Sequence, residues 1–212
     1  HDLELADYDA LFAKRGITTG FRVEGAGTAR RPAQPTPYET VLGSSYARLA
    51  PPIQALHRFE HGATYKGRSH VTDAGNVWAR MVARIVGFPT GIADCQVEVQ
   101  LSRRDGVETW QRTFGSQSFL STQEAGKGRF AHLIVERFGP LAFGLAIVED
   151  AGRLRLVFRR WSAFGCPMPR ALAPRTIAFE HDADGRFNFS VDIALPLLGR
   201  LVKYEGWLER VG

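Results

Sequence analysis

From Cys95 to the C-terminus the chain keeps a single period, and that period is two. The segments QVEVQLS, ETWQRTF, SQSFLS, FAHLIVERF, LAFGLAIV, RLRLVFRRW, RTIAFEH, RFNFSVDIAL and LVKYEGWL follow one another with either strict alternation or a short apolar run. Successive side chains of a strand point to opposite faces, so the pattern predicts β-strands. Between them stand Asp105-Gly106, Gly115-Ser116, Gly139-Pro140, Ala151-Gly152, Asp184-Gly185 and Gly199, which supply the positive-φ or fixed-φ positions of tight hairpins. Turns this short join antiparallel neighbours and leave no room for the crossover that parallel strands need. A meander of about nine strands, preceded by one more strand and a helix, leaves unpaired edges unless the sheet curls on itself. The expected architecture is therefore mainly β with N-terminal helices, an antiparallel meander curled into a barrel or half-barrel.

Upstream of Cys95 the pattern is helical. Thr36-Pro37-Tyr38-Glu39 places an N-cap, a proline at N1 and a glutamate at N3, and the following helix carries Tyr38, Val41, Leu42, Tyr46 and Leu49 on one face. Pro51-Pro52 opens a second helix with Ile53, Leu56 and Phe59, and Gly62 is the expected stop. Residues 63–72 read as extended. Asn76 then caps a helix with Val77, Trp78, Met81, Val82 and Ile85, closed by Gly87 and Pro89. The N-terminal stretch holds a short amphipathic segment (Leu5, Tyr8, Leu11, Phe12) and then, over residues 25–37, GAGTARRPAQPTP, a composition typical of a linker. The expected division is a tail and linker over 1–35 and one β-rich domain over 36–212. Among known shapes, a calycin-like barrel fits best, with a START-like helix-grip as the alternative.

Composition narrows the function classes. At 212 residues, 44% hydrophobic and 23% charged, the chain has ordinary globular usage. Its longest apolar run, Leu141 to Val148, is far below the roughly 20 residues that cross a bilayer. The acidic start HDLELADYDALF lacks the features of a secretory signal, and Cys95 and Cys166 have no paired spacing. A reducing, cytoplasmic setting is expected, with both cysteines reduced and buried. The net charge of +5 comes from arginines scattered among carboxylates, such as Arg153, Arg155, Arg159 and Arg160 near Glu149 and Asp150, so no nucleic-acid partner is expected.

Few residues point to chemistry. His57-Arg58-Phe59-Glu60-His61 matches the H-x-x-E-H pattern of inverted zincins, but a stop at Gly62 leaves no following helix for a third ligand. Gly25-Ala26-Gly27 lacks the third glycine of a dinucleotide fingerprint, and Cys166 has no histidine nearby in sequence. No metal, no cofactor and no catalytic residue is assigned. In ETWQRTF, alternation puts Trp110, Arg112 and Phe114 on one face. If that face is interior, Arg112 needs a carboxylate, and Glu136 and Glu180 are the candidates because each lies in an apolar strand. Arg112 then reads either as a clamp for an anionic ligand or as half of a structural ion pair. The segment Phe164–Arg175, with its prolines, reads as a stiff connection that either lids a cavity or closes the barrel. Lys203, Tyr204 and Trp207 offer polar handles to a pocket, or plain core.

The landmarks VLGSSYARLAPPIQALH, ETWQRTFGSQSF, VERFGPLAF, FGCPMPRALAPR and LVKYEGWL, in that order, resemble the uncharacterised bacterial family called domain of unknown function 4166 over residues 38–208. By matching position the resemblance draws attention to His57, Trp110, Arg112, Phe114, Glu136, Pro167, Pro169, Tyr204, Gly206 and Trp207. It also implies an upstream saccharopine-dehydrogenase-like NAD(P)-binding domain, of which LFAKRGITTGFR resembles the end. No reaction comes with it. The functional expectation is a binding or accessory domain with an apolar cavity for a small amphipathic acid or lipid-like molecule, its site drawn from Arg112, Glu136, Glu180, Trp110, Phe114, Tyr204, Trp207 and His57. The alternatives are a substrate-specificity domain fused to an NAD(P)-dependent oxidoreductase and, more remotely, a zinc hydrolase.

Overall fold

Local capping decides how the chain enters the fold. The computed structural model describes residues 34–211, so the tail, the segment resembling a dehydrogenase end and most of the linker fall outside the described residues. Thr36 Oγ1 accepts from the Glu39 amide at 3.1 Å, and the Glu39 carboxylate accepts from the Thr36 amide at 2.8 Å. This reciprocal box starts helix α1 (Pro37–Leu42). Gly43, at φ 56°, ends it, and the backbone tightens into a 3₁₀ turn over Gly43–Arg48. The single helix expected to run to Leu49 is thus two pieces. Helix α2 (Pro51–His57) buries Ile53, Leu56 and His57. It stops at His57, not at Gly62. The Tyr65 hydroxyl donates to the Ala55 carbonyl at 3.0 Å, satisfying a last-turn acceptor without a glycine cap, and Gly62 instead opens a strand.

Eleven strands follow: β1 (Gly62–Thr72), β2 (Asp94–Arg104), β3 (Val107–Phe114), β4 (Gln117–Ala125), β5 (Ile134–Phe138), β6 (Leu141–Asp150), β7 (Arg153–Ala163), the two-residue β8 (Cys166–Pro167), β9 (Arg175–Ala183), β10 (Arg186–Leu195) and β11 (Gly199–Val211). Helix α3 (Val77–Val86) lies between β1 and β2, with the Asn76 side chain accepting from the Ala79 amide and left-handed Gly87 closing it. All pairings are antiparallel. β6 pairs with β7, β7 with β9, and β11 returns to β1 from Thr64–Val211 to Thr72–Lys203. Ten strands therefore close in the ring β1-β2-β3-β4-β5-β6-β7-β9-β10-β11, while β8 only extends the end of β7. The fold is a closed, calycin-like antiparallel barrel. Closure by β11 on β1 sets aside the helix-grip alternative, in which an open sheet wraps a helix.

The turns are where the sequence puts them. Asp105-Gly106, Ala151-Gly152 and Asp184-Gly185 all have both residues at positive φ, the backbone twist that two-residue hairpins require. Only FAHLIVERF is shorter than its pattern, because Gly128–Phe130 forms a 3₁₀ turn and the strand begins at Ile134.

An up-and-down ring sends alternate connections to opposite ends. One end is plugged by the N-terminal helices: the Ala50 amide donates to Gly152 in the β6–β7 turn at 2.9 Å, and Arg48 pairs with Glu149 at 2.7 Å. At the other end lie α3, the β7–β9 connection and the β10–β11 turn, joined by bonds from Asn76 Nδ2 to the Leu198 carbonyl and from the Gly75 amide to the Arg200 carbonyl. Helix α3 leaves outside most of the apolar residues that mark its pattern in the sequence. Its small residues Ala79 and Ala83 are buried, while Val77, Trp78, Met81 and Ile85 face outward. Of the cysteines, Cys95 is buried and Cys166 is exposed; both are free thiols. No helix among the described residues is long and apolar enough to cross a membrane.

Candidate functional site

Strand alternation aims a set of polar side chains into the barrel. On β3 the inward residues are Glu108, Trp110, Arg112 and Phe114, on β4 Phe119, Ser121 and Gln123, and on β5 Ile134, Glu136 and Phe138. These strands are neighbours, so their polar members meet. Glu136 Oε1 accepts from Arg112 Nη2 at 3.3 Å, from Ser121 Oγ at 2.8 Å and from Gln123 Nε2 at 3.1 Å. Arg112 Nη1 also donates to Ser121 Oγ at 2.7 Å. Tyr38, carried in by α1, donates to Gln123 Oε1 at 2.9 Å. The guanidinium lies 4.8 Å from the Trp110 ring centroid and 5.5 Å from that of Phe119, where the ring faces attract a cation. Arg112 and Glu136 keep only 13% and 14% of their side-chain surface exposed, so the pair is sheltered but not sealed.

A second polar group lies toward the helical plug. His57 is fully buried, stacks on Tyr38 at 3.7 Å between ring centroids, and places Nε2 2.7 Å from Glu180 Oε2 on β9. Glu180 is thus held by His57 and is not the carboxylate that compensates Arg112. Glu108 is equally buried; one oxygen accepts from Trp110 Nε1 at 3.2 Å, while Oε1 has no hydrogen-bond partner, nor does His57 Nδ1. Burial raises the Glu108 carboxyl above its ordinary value, an effect that nearby His57 only partly offsets. Burial, reinforced by Glu180 and Glu136, also raises the Tyr38 phenol, and burial pushes Tyr204 up to about 12, so both hydroxyls stay neutral hydrogen-bonding groups.

Above this polar floor the barrel is hollow. A cavity of about 400 Å³ runs from Tyr38, Arg112, Gln123, Glu136 and Glu180 toward α3 and the β7–β9 connection. That volume falls in the roughly 300–1,000 Å³ range of small-molecule sites. Its walls are apolar: Phe138, Phe143, Leu156, Phe158, Val191 and Ile193 line the middle, and Val82, Val86, Leu172 and Pro174 line the mouth. The arrangement can shelter an apolar body and offer its polar end several donors and acceptors.

The candidates drawn from sequence separate cleanly. Arg112, Glu136, Glu180, Trp110, Phe114 and Tyr204 all line the cavity, and His57 stands behind Glu180. Trp207 does not reach it. In β11 the inward residues are Tyr204, Gly206 and Leu208, so Trp207 faces out under the Arg186 guanidinium, and Lys203 pairs with Glu205 at 2.9 Å. Pro167 and Pro169 belong to the stiff connection, where Trp161 Nε1 donates to the Pro169 carbonyl. The H-x-x-E-H match is not on one helix: His57 ends α2, and Glu60 and His61 follow it on an exposed loop. Among the described residues no three His, Cys, Asp or Glu side chains gather where a metal could bind. Tyr38, Ser121 and Gln123 complete the floor, and Glu108 the group behind it, without having been named as site candidates in the sequence; Ser121, Gln123 and Glu108 lie on strands. For the last three the signal was present, since each falls on the inward phase of a strand.

The family model described as Domain of unknown function (DUF4166) matches residues 49–208, most of the chain and nearly all of the barrel. No curated protein matches it.

Proposed function

The chain belongs to the family of domains of unknown function 4166, and we propose that its barrel holds one small amphipathic, lipid-like molecule, apolar body outermost and polar end on the Arg112–Glu136–Gln123 floor. The observation that carries this reading is an apolar hollow of about 400 Å³ ending on a polar floor, in an interior that would otherwise be close-packed. The floor also bears on the head group. Arg112 spends its charge on Glu136, and Glu180 adds a second carboxylate to the lining of the same cavity. An ionised acid would bring a third negative group against one guanidinium in a poorly hydrated space. A hydroxyl both donates to a carboxylate oxygen and accepts from Arg112, Gln123 or Tyr204 without adding charge. Of the amphipathic acid and the lipid-like molecule expected from the sequence, the floor favours the second, as an uncharged, hydroxyl-bearing chain.

The test is displacement of N-phenyl-1-naphthylamine, a neutral probe that fluoresces in apolar surroundings. The probe is expected to bind, and 1-decanol to displace it at concentrations at least about tenfold below those of decanoate at neutral pH. Ala178→Phe, which fills the hollow from its wall, should remove probe binding with the circular dichroism spectrum unchanged. Absence of probe binding to the wild-type chain would overturn the cavity reading; tighter binding of decanoate would overturn the head-group assignment.

A further inference from the structure

Helix α3 turns the wrong face outward for a helix that only closes a barrel. Val77, Trp78, Met81 and Ile85 are 68, 64, 48 and 77% exposed. Residues 77, 81 and 85 form one row of the helix and Trp78 stands beside it, so these four make a continuous apolar sector. Arg80 and Arg84 form the adjoining row, both exposed, and none of the ion pairs among the described residues involves either. The opposite side, Ala79, Val82, Ala83 and Val86, is spent on the barrel mouth.

The neighbouring loops repeat the combination. Leu197, fully exposed, sits in the β10–β11 turn that Asn76 ties to the start of α3. Across the mouth, exposed Leu172 lies between exposed Arg170 and Arg175, and it lines the same cavity as Val82 and Val86. One end of the barrel therefore presents aliphatic side chains and a tryptophan edged by uncompensated arginines.

We propose that this end of the barrel docks on an anionic phospholipid surface, with α3 lying in the plane of the interface. A short helix with Trp and aliphatic residues on one sector and arginine beside it has the composition of an interfacial helix: its apolar sector enters the headgroup boundary and its cations meet lipid phosphates. The arginines decide the occupant. A second copy of the chain would bring the same cations face to face, whereas a negative surface complements them. Docked this way, the cavity mouth opens toward lipid. The docking is read without any cavity ligand, so it stands or falls apart from the displacement experiment.

The experiment is sedimentation of the full chain with phosphatidylcholine vesicles, with and without about a third of phosphatidylglycerol, at low and high salt. Binding is expected only with phosphatidylglycerol, weaker in salt. Arg80→Glu/Arg84→Glu should lower the partition coefficient by at least about thirtyfold, each basic charge near such a surface being worth roughly fivefold. Trp78→Ser/Ile85→Ser should lower it at least about tenfold, and because these side chains are exposed in the free protein, both double variants should keep wild-type urea midpoints. No sedimentation with anionic vesicles, equal sedimentation with phosphatidylcholine alone, or binding indifferent to both double variants would overturn the proposal. So would concentration-dependent dimerisation lost in Trp78→Ser/Ile85→Ser without vesicle binding, which would identify a second copy as the occupant.

Discussion

Removing Glu136 alone from its pair with Arg112 should be more damaging than removing both side chains together. Glu136→Leu leaves the guanidinium sheltered over Trp110 with only Ser121 Oγ as acceptor, and strips Gln123 Nε2 of its partner. Removing one member of a fully buried pair costs about 3–5 kcal/mol. Both side chains keep some exposure and the floor opens on a cavity, so screening reduces this to about 3 kcal/mol. Arg112→Met should cost somewhat less, about 2 kcal/mol, because Glu136 retains Ser121 and Gln123 as donors. Arg112→Met/Glu136→Leu strands no charge and should cost about 1–2 kcal/mol, chiefly from Ser121 and Gln123 losing a charged partner. The coupling between the sites is then about 3–4 kcal/mol. Urea unfolding followed by circular dichroism, with all four proteins fitted to a common slope, measures it. Single losses that simply add in the double variant would refute the description of the floor as a charge-compensated unit.

Two further outcomes follow from particular side chains. Burial raises the Glu108 carboxyl, so the folded state holds that proton more tightly than the unfolded chain, and this contribution is fully present at acidic pH and lost as pH climbs from about 4.5 through the raised value. Glu108→Gln abolishes the titration; unfolding in urea at about pH 4 and about pH 8 should show the variant gaining on the wild type at the higher pH, and a difference unchanged with pH would refute it. At the closing seam, a methyl group on Gly206 would be driven into the Arg68 carbonyl oxygen, with Ser69 Cα 2.9 Å away, so Gly206→Ala should cost at least about 3 kcal/mol by urea unfolding, against less than about 0.5 for Gly75→Ala, where nothing lies within 4 Å.

The barrel was legible because its evidence is local. Period-two segments and turn residues recur at each hairpin, and each of Asp105-Gly106, Ala151-Gly152 and Asp184-Gly185 does what its backbone permits. What required ring closure was not legible. Glu136 and Glu180 fall equally on inward phases, and only strand neighbourhood, β5 two strands from the β3 that carries Arg112 against β9 on the far side of the ring, awards Arg112 to the first and leaves the second to His57. Trp207 misleads for a different reason: an apolar ring invites an inward assignment, but Trp207 stands three residues from Tyr204 in a regular stretch of β11, and alternation puts it on the opposite face from Tyr204, Gly206 and Leu208. Helix α3 shows the limit of amphipathic reasoning. Its moment marks two faces, and the tight crossing over the barrel mouth accepts the alanines and rejects the larger residues that period alone would send inside.

The hollow itself could not be read from the chain, and the reason is physical. Phe138, Leu156, Val191 and Ile193 are written as any core residue is written, in phase and apolar, yet each stays only partly buried while pointing inward. Inward phase with incomplete burial is the mark of a wall and not of a core, because a packed interior covers its side chains from every direction. That separates two zones in one barrel. Toward the plug, Ile53, Leu56, Tyr38, His57 and Leu154 are fully or almost fully buried and close the volume; toward α3, the same alternation leaves side chains facing one another across a gap. The N-terminal helices thus do for one end what no residue among the wall positions does for the other, and the polar floor lies where the two zones meet.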